Sequence, residues 1–249
     1  MDRHEFLTAL HRVVRPRTYL EIGVNDGTSL ALSRVPTVAI DPAFKVTKEI
    51  STDVHLVRAT SDEFFARREP LARLPRPTVD LSFIDGMHLS EYALRDFMNI
   101  ERYTEPGSVI MLDDMLPRNV EEAARNRQTR FWTGDVYKLL EALRRYRPDL
   151  ISLEVNTRGS GTGLVLLPDA SSTVLSEHYD DLVAEMVTPD PQDVPAEVLG
   201  RTRAVDPEQI IDSPVWLELA RLRRRRRPAP REEFEQVYAG AGWALAHSV

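Results

Sequence analysis

Three carboxylates and one histidine follow two apolar segments of strand length. Asp85 and His88 come after "VDLSFI", while Asp113 and Asp114 end "SVIMLDD". If these segments are neighbouring strands, the three carboxylates meet at one sheet edge with no lysine or arginine directly beside them in sequence. Such carboxylates repel one another unless they are protonated or bound to a cation, and Mg²⁺ suits a site of oxygen ligands. In the alternative interpretation, Asp113 caps a loop and Asp114 is solvated.

The spacing of these residues sets conditions on such a site. Consecutive strand residues face opposite ways, so Asp113 and Asp114 can share an ion only if the chain turns there, and the proline in "DDMLPRN" permits a turn. His88 lies three residues after Asp85, where its imidazole would reach the substrate side of the ion. An unperturbed histidine, with a pKa of about 6.5, is largely neutral at physiological pH and can accept a proton. Alternatively, His88 starts the next helix or is a further metal ligand.

The segment "YLEIGVNDGTSL" combines an apolar run with a glycine turn. A strand containing Glu21, followed by Gly23 and Gly27 and by a helix beginning near Thr28, places a tight turn at the carboxyl end of that strand. Glycines there let the backbone approach a ligand, and a helix N-terminus offers free N–H groups. The G-x-x-x-G spacing differs from dinucleotide and phosphate-loop motifs. An ordinary strand-to-helix turn is the alternative.

Polar residues also follow the next two strand segments. Asp41 ends "TVAIDP", about where an acid would accept hydrogen bonds from the ribose of a nucleoside held over the glycine turn. Ser61 and Asp62 follow "VHLVRA", where they would either cap the next helix or contact an adenine. The ends of three successive strands thus favour a nucleoside site.

These residues require a sheet whose strands end at one edge. Apolar segments of strand length occur at 18–24, 37–42, 54–59, 79–85, 108–114, 150–156 and 162–168. Helical patterns lie between them; Leu89, Ala93, Phe97 and Ile100, for example, share one helix face. This alternation predicts an α/β fold with a mostly parallel sheet of seven strands and helices on both faces. The last two strands, joined only by "TRGSG", should form an antiparallel hairpin.

Composition narrows the class of protein. The 249 residues suffice for one large α/β domain with an extension, which we assign to 1–170 and 171–249, the second part including helices near 215–227 and 231–240. The absence of cysteine excludes disulfides and thiolate ligands. A net charge of −7 argues against a nucleic-acid partner. The N-terminus lacks the apolar core of a signal peptide, and no membrane span is evident, so we expect a cytoplasmic protein.

The strand ends as a group resemble those of the class I S-adenosylmethionine-dependent methyltransferases, over roughly residues 15–170. The resemblance implies a Rossmann-like fold. It also implies that S-adenosylmethionine is bound by residues at these strand ends, namely Glu21, Gly23, Gly27, Ser29, Asp41, Ser61, Asp62 and Asp85.

The segments "FIDGMHLSEYALRDF" and "EPGSVIMLDDMLPRN" resemble one branch of that superfamily, the macrocin- and mycinamicin-type sugar O-methyltransferases. Its pattern is Asp-Gly-x-His after strand four and an acidic pair after strand five. The resemblance implies that Asp85, Asp113 and Asp114 hold Mg²⁺, and that His88 acts as base beside Asp85 in catalysis. The mycinamicin-type enzymes also carry a large N-terminal domain, whereas only a short segment precedes the first strand here.

Three functions follow from these features. The first is a Mg²⁺-dependent O-methyltransferase acting on a small-molecule hydroxyl acceptor, a sugar or polyhydroxylated natural product, with no nucleic-acid or membrane partner; a homo-oligomer is compatible with the sequence. The second has the same fold and metal but methylates a catechol-type phenol. The third is a non-catalytic S-adenosylmethionine-binding regulatory protein, which fold alone does not exclude.

Two further segments have alternative interpretations. In "NRQTRFWTGDVYKLLEAL", the aromatic residues Phe131, Trp132 and Tyr137 either cover a sugar ring or pack against the extension, and packing is favoured slightly. The arginines at 223–227 are interpreted as the solvated end of a helix that Pro228 stops, with docking of an anionic partner as the alternative.

Overall fold

The computed structural model describes residues 1–225 and 227–243, with a seven-stranded sheet at their centre. The strands are β1 (Tyr19–Ile22), β2 (Thr37–Ile40), β3 (Val54–Val57), β4 (Leu81–Ile84), β5 (Val109–Asp113), β6 (Ile151–Val155) and β7 (Thr162–Leu166). Their order is β3-β2-β1-β4-β5-β7-β6. β1 to β5 pair in parallel, whereas β7 runs antiparallel to β5 and β6. The predicted mostly parallel sheet with a C-terminal hairpin is confirmed.

The strand register brings the ends of β1, β4 and β5 to one level. Ile22 pairs with Ile84, and Ile84 pairs with Leu112. Gly23 and Asp85 therefore leave the sheet at the same edge, next to the end of β5. β1 lies between β2 and β4, where the strand order reverses, and this is the place where open α/β sheets bind ligands.

Helices cover both faces of the sheet, as predicted. In the described residues they are α1 (Arg3–Val14), α2 (Ser61–Phe65), α3 (Ser90–Glu101), α4 (Lys138–Tyr146), α5 (Val174–Glu177), α6 (Tyr179–Met186), α7 (Ala196–Leu199), α8 (Pro207–Ile211), α9 (Val215–Arg223) and α10 (Arg231–Gly240).

The core consists of two apolar layers, one on each face of the sheet. In one layer, α1, α8, α9 and α10 bury side chains such as Phe6, Trp216 and Tyr238. In the other, α2, α3, α4 and α6 contribute residues such as Phe64 and Phe97. Burying one such side chain stabilises the fold by about 1.5–3 kcal/mol relative to exposure. The central strands β1, β4 and β5 are buried along their length and largely apolar, because helices cover both faces of the sheet.

The periodicity predicted for α3 is confirmed for three of its four residues. Ala93, Phe97 and Ile100 are buried on one helix face. Leu89 precedes the helix instead, in an extended conformation. The backbone N–H of Ser90 donates to the Asp135 carboxylate at 2.8 Å, so a residue far along the chain caps this helix.

The helix expected near Thr28 is absent, and only a 3₁₀ turn at Leu30–Leu32 follows the glycine turn. Thr28 N–H donates to the side chain of Asp26 at 3.0 Å, and Gly27 has a φ of 83°. Both features hold the chain in a local turn that competes with α-helix formation.

The α2 cap also differs from the prediction. Thr60 is the N-cap: its hydroxyl accepts from the N–H of Glu63, whose carboxylate accepts from the N–H of Thr60. The capping role considered for Ser61 and Asp62 is therefore wrong, because both lie inside the first turn of the helix.

The C-terminal helices share a core with the N-terminal one. α9 and α10 pack on each other, and α9 also contacts α1, so the proposed boundary at 170 separates segments of sequence that form one apolar layer.

α9 ends at Arg223 rather than near residue 227. Arg223 donates to the carbonyl of Val14, so the solvated interpretation is wrong for this residue. Arg225 pairs with Glu233 at 2.5 Å, and Arg226 lies outside the described residues.

No helix in the described ranges combines the length and apolarity that crossing a membrane requires.

Gly23 provides a test of the sheet-edge geometry. It has a φ of 89°, and an added Cβ would lie 1.7 Å from the carbonyl oxygen of Asp85. Gly159 has a φ of 95° but no atom within 4 Å of an added Cβ. We expect Gly159→Ala to lower the free energy of unfolding by about 1–2 kcal/mol through backbone strain alone, and Gly23→Ala by about 3–5 kcal/mol because a steric clash is added. Urea unfolding measures both, and equal losses would contradict the close approach of β1 and β4.

Candidate active site

A cavity of about 550 Å³ opens where β1, β2 and β4 end, and we call it the first cavity. It brings together five of the predicted cofactor residues, Gly23, Asp41, Ser61, Asp62 and Asp85. The ends of three parallel strands thus meet around one space, as their positions in the sequence predicted.

Asp41 holds the glycine turn in place. Its Oδ2 accepts from the N–H groups of Val24 at 2.9 Å and Asn25 at 2.8 Å, and its Oδ1 accepts from the N–H of Ala43 at 2.6 Å. A carboxylate has about four lone-pair positions, so one remains to accept from a ligand in the cavity.

Glu21, Ser29 and Gly27 do not line the first cavity. Glu21 is fully buried, where its carboxylate accepts from the hydroxyls of Tyr19 at 2.7 Å and Ser29 at 2.8 Å. Burial raises the pKa of Glu21 to about 8, against the opposing effect of these two hydrogen bonds. Gly27 packs against Val46. The three residues support the turn from below.

Ser61 and Asp62 lie on the wall of the first cavity and have partners on α3. Asp62 accepts from Arg95 Nε at 3.0 Å. Ser61 donates to Asp96, which also lines the cavity. Burial raises the pKa of Asp96 to about 7, although the Ser61 hydrogen bond opposes this shift. Sequence reasoning missed Asp96, yet an acid three residues after Ala93, on the buried face of a helix, was a usable signal.

A compact group of possible metal ligands stands beside this cavity. One ligand atom from each of Asp85, His88 and Asp114 lies within 4.8 Å of the others. Both of the last two residues have a positive φ, 57° for His88 and 62° for Asp114. Such backbone conformations are uncommon outside glycine and cluster at functional sites. Because β5 ends at Asp113, the chain turns at Asp114, which meets the geometric condition that the sequence set.

Both ring nitrogens of His88 are occupied. Nε2 lies 3.2 Å from Asp85 Oδ1, and Nδ1 lies 2.9 Å from the Trp132 carbonyl and 3.1 Å from Asp114 Oδ2. Burial favours the neutral ring, but the Asp85 hydrogen bond and the charge of Asp114 outweigh it and raise the pKa of His88 to about 9. The unperturbed pKa expected for His88 is therefore wrong, given the residues that surround the ring.

Asp113 faces a different partner. Arg3, from the first turn of α1, donates to its Oδ2 and also lies 3.5 Å from Asp85 Oδ2. Burial and the charges of Asp114 and Asp85 raise the pKa of Asp113 well above its usual range. Its Oδ1 is buried without a hydrogen-bond partner in the described part of the chain. The carboxylates are thus not uncompensated, because an arginine distant in sequence reaches them.

A second cavity, of about 740 Å³, adjoins the first at Gly86, Met87 and His88. Phe131, 64% exposed, lines it, and Trp132 stacks on His88 with ring centres 5.1 Å apart and 14° between the planes.

The aromatic residues of this loop have different roles. Tyr137 is buried with Val194 and Val198, so the packing interpretation is confirmed for this residue. It is wrong for Phe131 and Trp132, which form part of the wall of the second cavity.

Comparison with known proteins finds a match to a methyltransferase domain. Residues 20–115 match the family model described as a methyltransferase domain, which is less than half of the chain. The matched range extends from the strand before Gly23 to the residue after Asp114. Together with the sheet topology, it confirms the predicted class I methyltransferase fold. No curated protein sequence matches the chain.

Solved methyltransferase structures are similar at low identity. An O-methyltransferase from Bacillus cereus in complex with SAH is 17% identical, over 66% of this chain and 80% of that one, with a TM-score of 0.47. The SAM-bound O-methyltransferase TomG from Streptomyces achromogenes, involved in tomaymycin synthesis, is 20% identical, over 66% and 79%, with a TM-score of 0.45. The SAH-bound methyltransferase PaMTH1 from Podospora anserina is 14% identical, over 67% and 78%, with a TM-score of 0.48.

The raised pKa of Asp96 predicts a pH-dependent effect of substitution. In the unfolded chain an aspartate has a pKa of about 3.9, whereas the folded value is about 7. The wild type is therefore stabilised by Asp96 below pH ~4 and loses this stabilisation as the pH rises to ~7. Asp96→Asn cannot ionise. The difference in melting temperature, variant minus wild type, should therefore increase as the pH rises from 4.5 to 8. A difference that does not change with pH would contradict the buried, protonated Asp96.

Proposed function

We propose that this protein transfers the methyl group of S-adenosylmethionine to a hydroxyl of a small-molecule acceptor, a sugar moiety or a polyhydroxylated natural product. The observation that carries the proposal is the meeting of two cavities at one polar group, Asp85, His88 and Asp114. One cavity would hold the methyl donor and the other the acceptor. The match to a methyltransferase domain over the same strand ends supports this assignment.

The first cavity is suited to the methyl donor. Gly23 has no side chain, so a ligand can approach the backbone at the end of β1, and Asp41 retains an acceptor position for a ribose hydroxyl. Ser61 and Asp62 lie further along the wall, where the adenine would bind. Glu21 and Ser29 act through the turn, which they support from inside the protein.

The carboxylate group fits a divalent cation. Asp85 and Asp114 would hold it. Asp113 would complete an all-oxygen set, which favours Mg²⁺, and His88 is the alternative third ligand. The spacing of the ligand atoms and the unpartnered Oδ1 of Asp113 support the fit. When bound, the cation would lower the pKa of the acceptor hydroxyl and fix its direction.

His88 is the proposed proton acceptor. Methyl transfer from a sulfonium requires the hydroxyl proton to leave as the oxygen–carbon bond forms, and His88 stands where the two cavities meet. Asp85 and the Trp132 carbonyl orient its ring. With a pKa of about 9 the ring is protonated at neutral pH, so a base role requires additional positive charge at Asp85 and Asp114 to lower that pKa.

A catechol-type acceptor is the second candidate. Phe131 and Trp132 present aromatic surfaces to the second cavity, where a planar phenol would stack. A screen that contains both sugars and catechols, read as the mass gain of a methyl substitution, separates the two candidates. Binding of S-adenosylmethionine without any turnover would favour the non-catalytic regulatory protein.

Asp41 tests the cofactor assignment. Asp41→Ala removes a charged acceptor and the anchor of the glycine turn, so the affinity for S-adenosylhomocysteine should fall by about 1–3 kcal/mol in calorimetry. Asp26→Ala is the matched control: Asp26 belongs to the same turn, accepts from Thr28 N–H, and does not line the cavity. Equal affinities of the Asp41→Ala variant and the wild type would refute the placement.

Turnover tests the metal and the base. We expect chelation to abolish methyl transfer, and Asp114→Asn to weaken Mg²⁺ binding in calorimetry as well as turnover, because a ligand is lost. His88→Ala should lower kcat by about 10²–10⁴-fold while Mg²⁺ and S-adenosylhomocysteine still bind.

The outcomes separate the roles of these residues. Loss of Mg²⁺ binding in His88→Ala would identify a ligand rather than a base. Full turnover in the presence of chelator would overturn the metal proposal. Asp53 is exposed and lies outside both cavities, so the control variant Asp53→Asn should bind Mg²⁺ and turn over as the wild type does.

A further inference from the structure

The second cavity differs in charge from the protein as a whole. The chain has a formal net charge of −7, yet five arginines and three acidic residues line this cavity. Since its position makes it the acceptor cavity under the proposed function, the charge of its wall bears on the acceptor. The present inference rests on that assignment.

Three of the five arginines are neutralised by carboxylates. Arg3 pairs with Asp113, Arg118 Nε donates to Glu122 Oε1 at 2.9 Å, and Arg158 Nη2 lies 3.1 Å from Glu5 Oε2. These arginines are held by the protein itself.

Arg127 and Arg130 are the other two. Among the described residues, neither has a carboxylate within 4.0 Å. Within residues 1–225 and 227–243, Arg127 donates only to the backbone carbonyls of Thr129 and Arg130, at 3.3 and 2.9 Å. Both guanidinium groups lie 5.9 Å from an aromatic ring of the same loop, Arg127 near Trp132 and Arg130 near Phe131. Two exposed cations of one loop therefore line the second cavity without a carboxylate partner among the described residues.

Their position relates them to the reacting groups. Trp132, whose ring lies near Arg127, stacks directly on His88. The cavity that Arg127 and Arg130 line also contains His88 and Asp114. A molecule with its hydroxyl at His88 would thus extend along Trp132 and Phe131 towards the two guanidinium groups.

We propose that the acceptor carries an oxyanion group, a phosphate or a carboxylate, which Arg127 and Arg130 bind while its hydroxyl lies at His88. Guanidinium groups match the geometry of both oxyanions and form charge-assisted hydrogen bonds with them. A ring between the two ends packs on the aromatic surfaces of Phe131 and Trp132. Arg127 and Arg130 select the acceptor and take no part in methyl transfer.

Inorganic pyrophosphate tests the oxyanion site, and a comparison with malonate distinguishes a phosphate acceptor from a carboxylate acceptor. Each is titrated by calorimetry into chelator-treated, dialysed protein saturated with S-adenosylhomocysteine, at constant ionic strength. The bound S-adenosylhomocysteine occupies the first cavity, which Arg127 also lines, so the titration reports on the second. Tighter binding of pyrophosphate indicates a phosphate acceptor, and tighter binding of malonate indicates a carboxylate.

Substitutions assign the binding to the two arginines. Arg130→Gln, which affects the second cavity alone, should weaken the preferred anion at least ~10-fold, and Arg127→Gln/Arg130→Gln should weaken it further. Arg68→Gln, an exposed arginine outside both cavities, should bind as the wild type does. Absence of binding to the wild type, or equal binding to the double variant, overturns the inference.

The two proposals fail in different ways. Anion binding that depends on Arg130, in a protein that transfers no methyl group, contradicts the enzymatic function and leaves the oxyanion site standing. Methyl transfer with anion binding that ignores both arginines contradicts only the oxyanion site.

Discussion

Three carboxylates gathered at one sheet edge, two of them buried, need positive charge, and much of the surrounding structure supplies it. Asp85, Asp113 and Asp114 are brought together by the level ends of β4 and β5, so their repulsion is a direct result of the parallel register. Arg3 reaches them from α1, and His88 reaches them from the loop after β4. The layer of α1 and the C-terminal helices thus places the Arg3 guanidinium at the site, in addition to covering the sheet.

The backbone near the site is also unusual. His88 and Asp114 both adopt left-handed conformations, which a non-glycine residue adopts only when its surroundings compensate for the strain. The backbone at Gly134 can approach His88 closely only because it has no side chain: an added Cβ there would lie 1.7 Å from the His88 carbonyl oxygen. The loop that carries Trp132 is consequently packed against His88, and the two cavities meet at this contact.

The sequence predicted those features that depend on strand ends. Short apolar segments predicted the seven strands, and parallel pairing placed Gly23, Asp41 and Asp85 around one cavity. It did not predict Arg3, since the position of α1 over the sheet edge results from packing between distant segments. The raised pKa of His88 was also missed, because it depends on the hydrogen bond with Asp85 and on the approach of Asp114. The helix after Gly27 was predicted wrongly because the local bond from Thr28 to Asp26 competes with it.

The stacking of Trp132 on His88 has an optical consequence. An indole in parallel contact with an imidazole is sensitive to the charge of that ring, since an imidazolium accepts excited-state electron density more readily than the neutral form does. The other two tryptophans, Trp216 and Trp243, pack against each other in the apolar layer of α9 and α10 and line neither cavity. The protein therefore contains its own fluorophore beside the proposed base, and its tryptophan emission reports whether that group carries a proton.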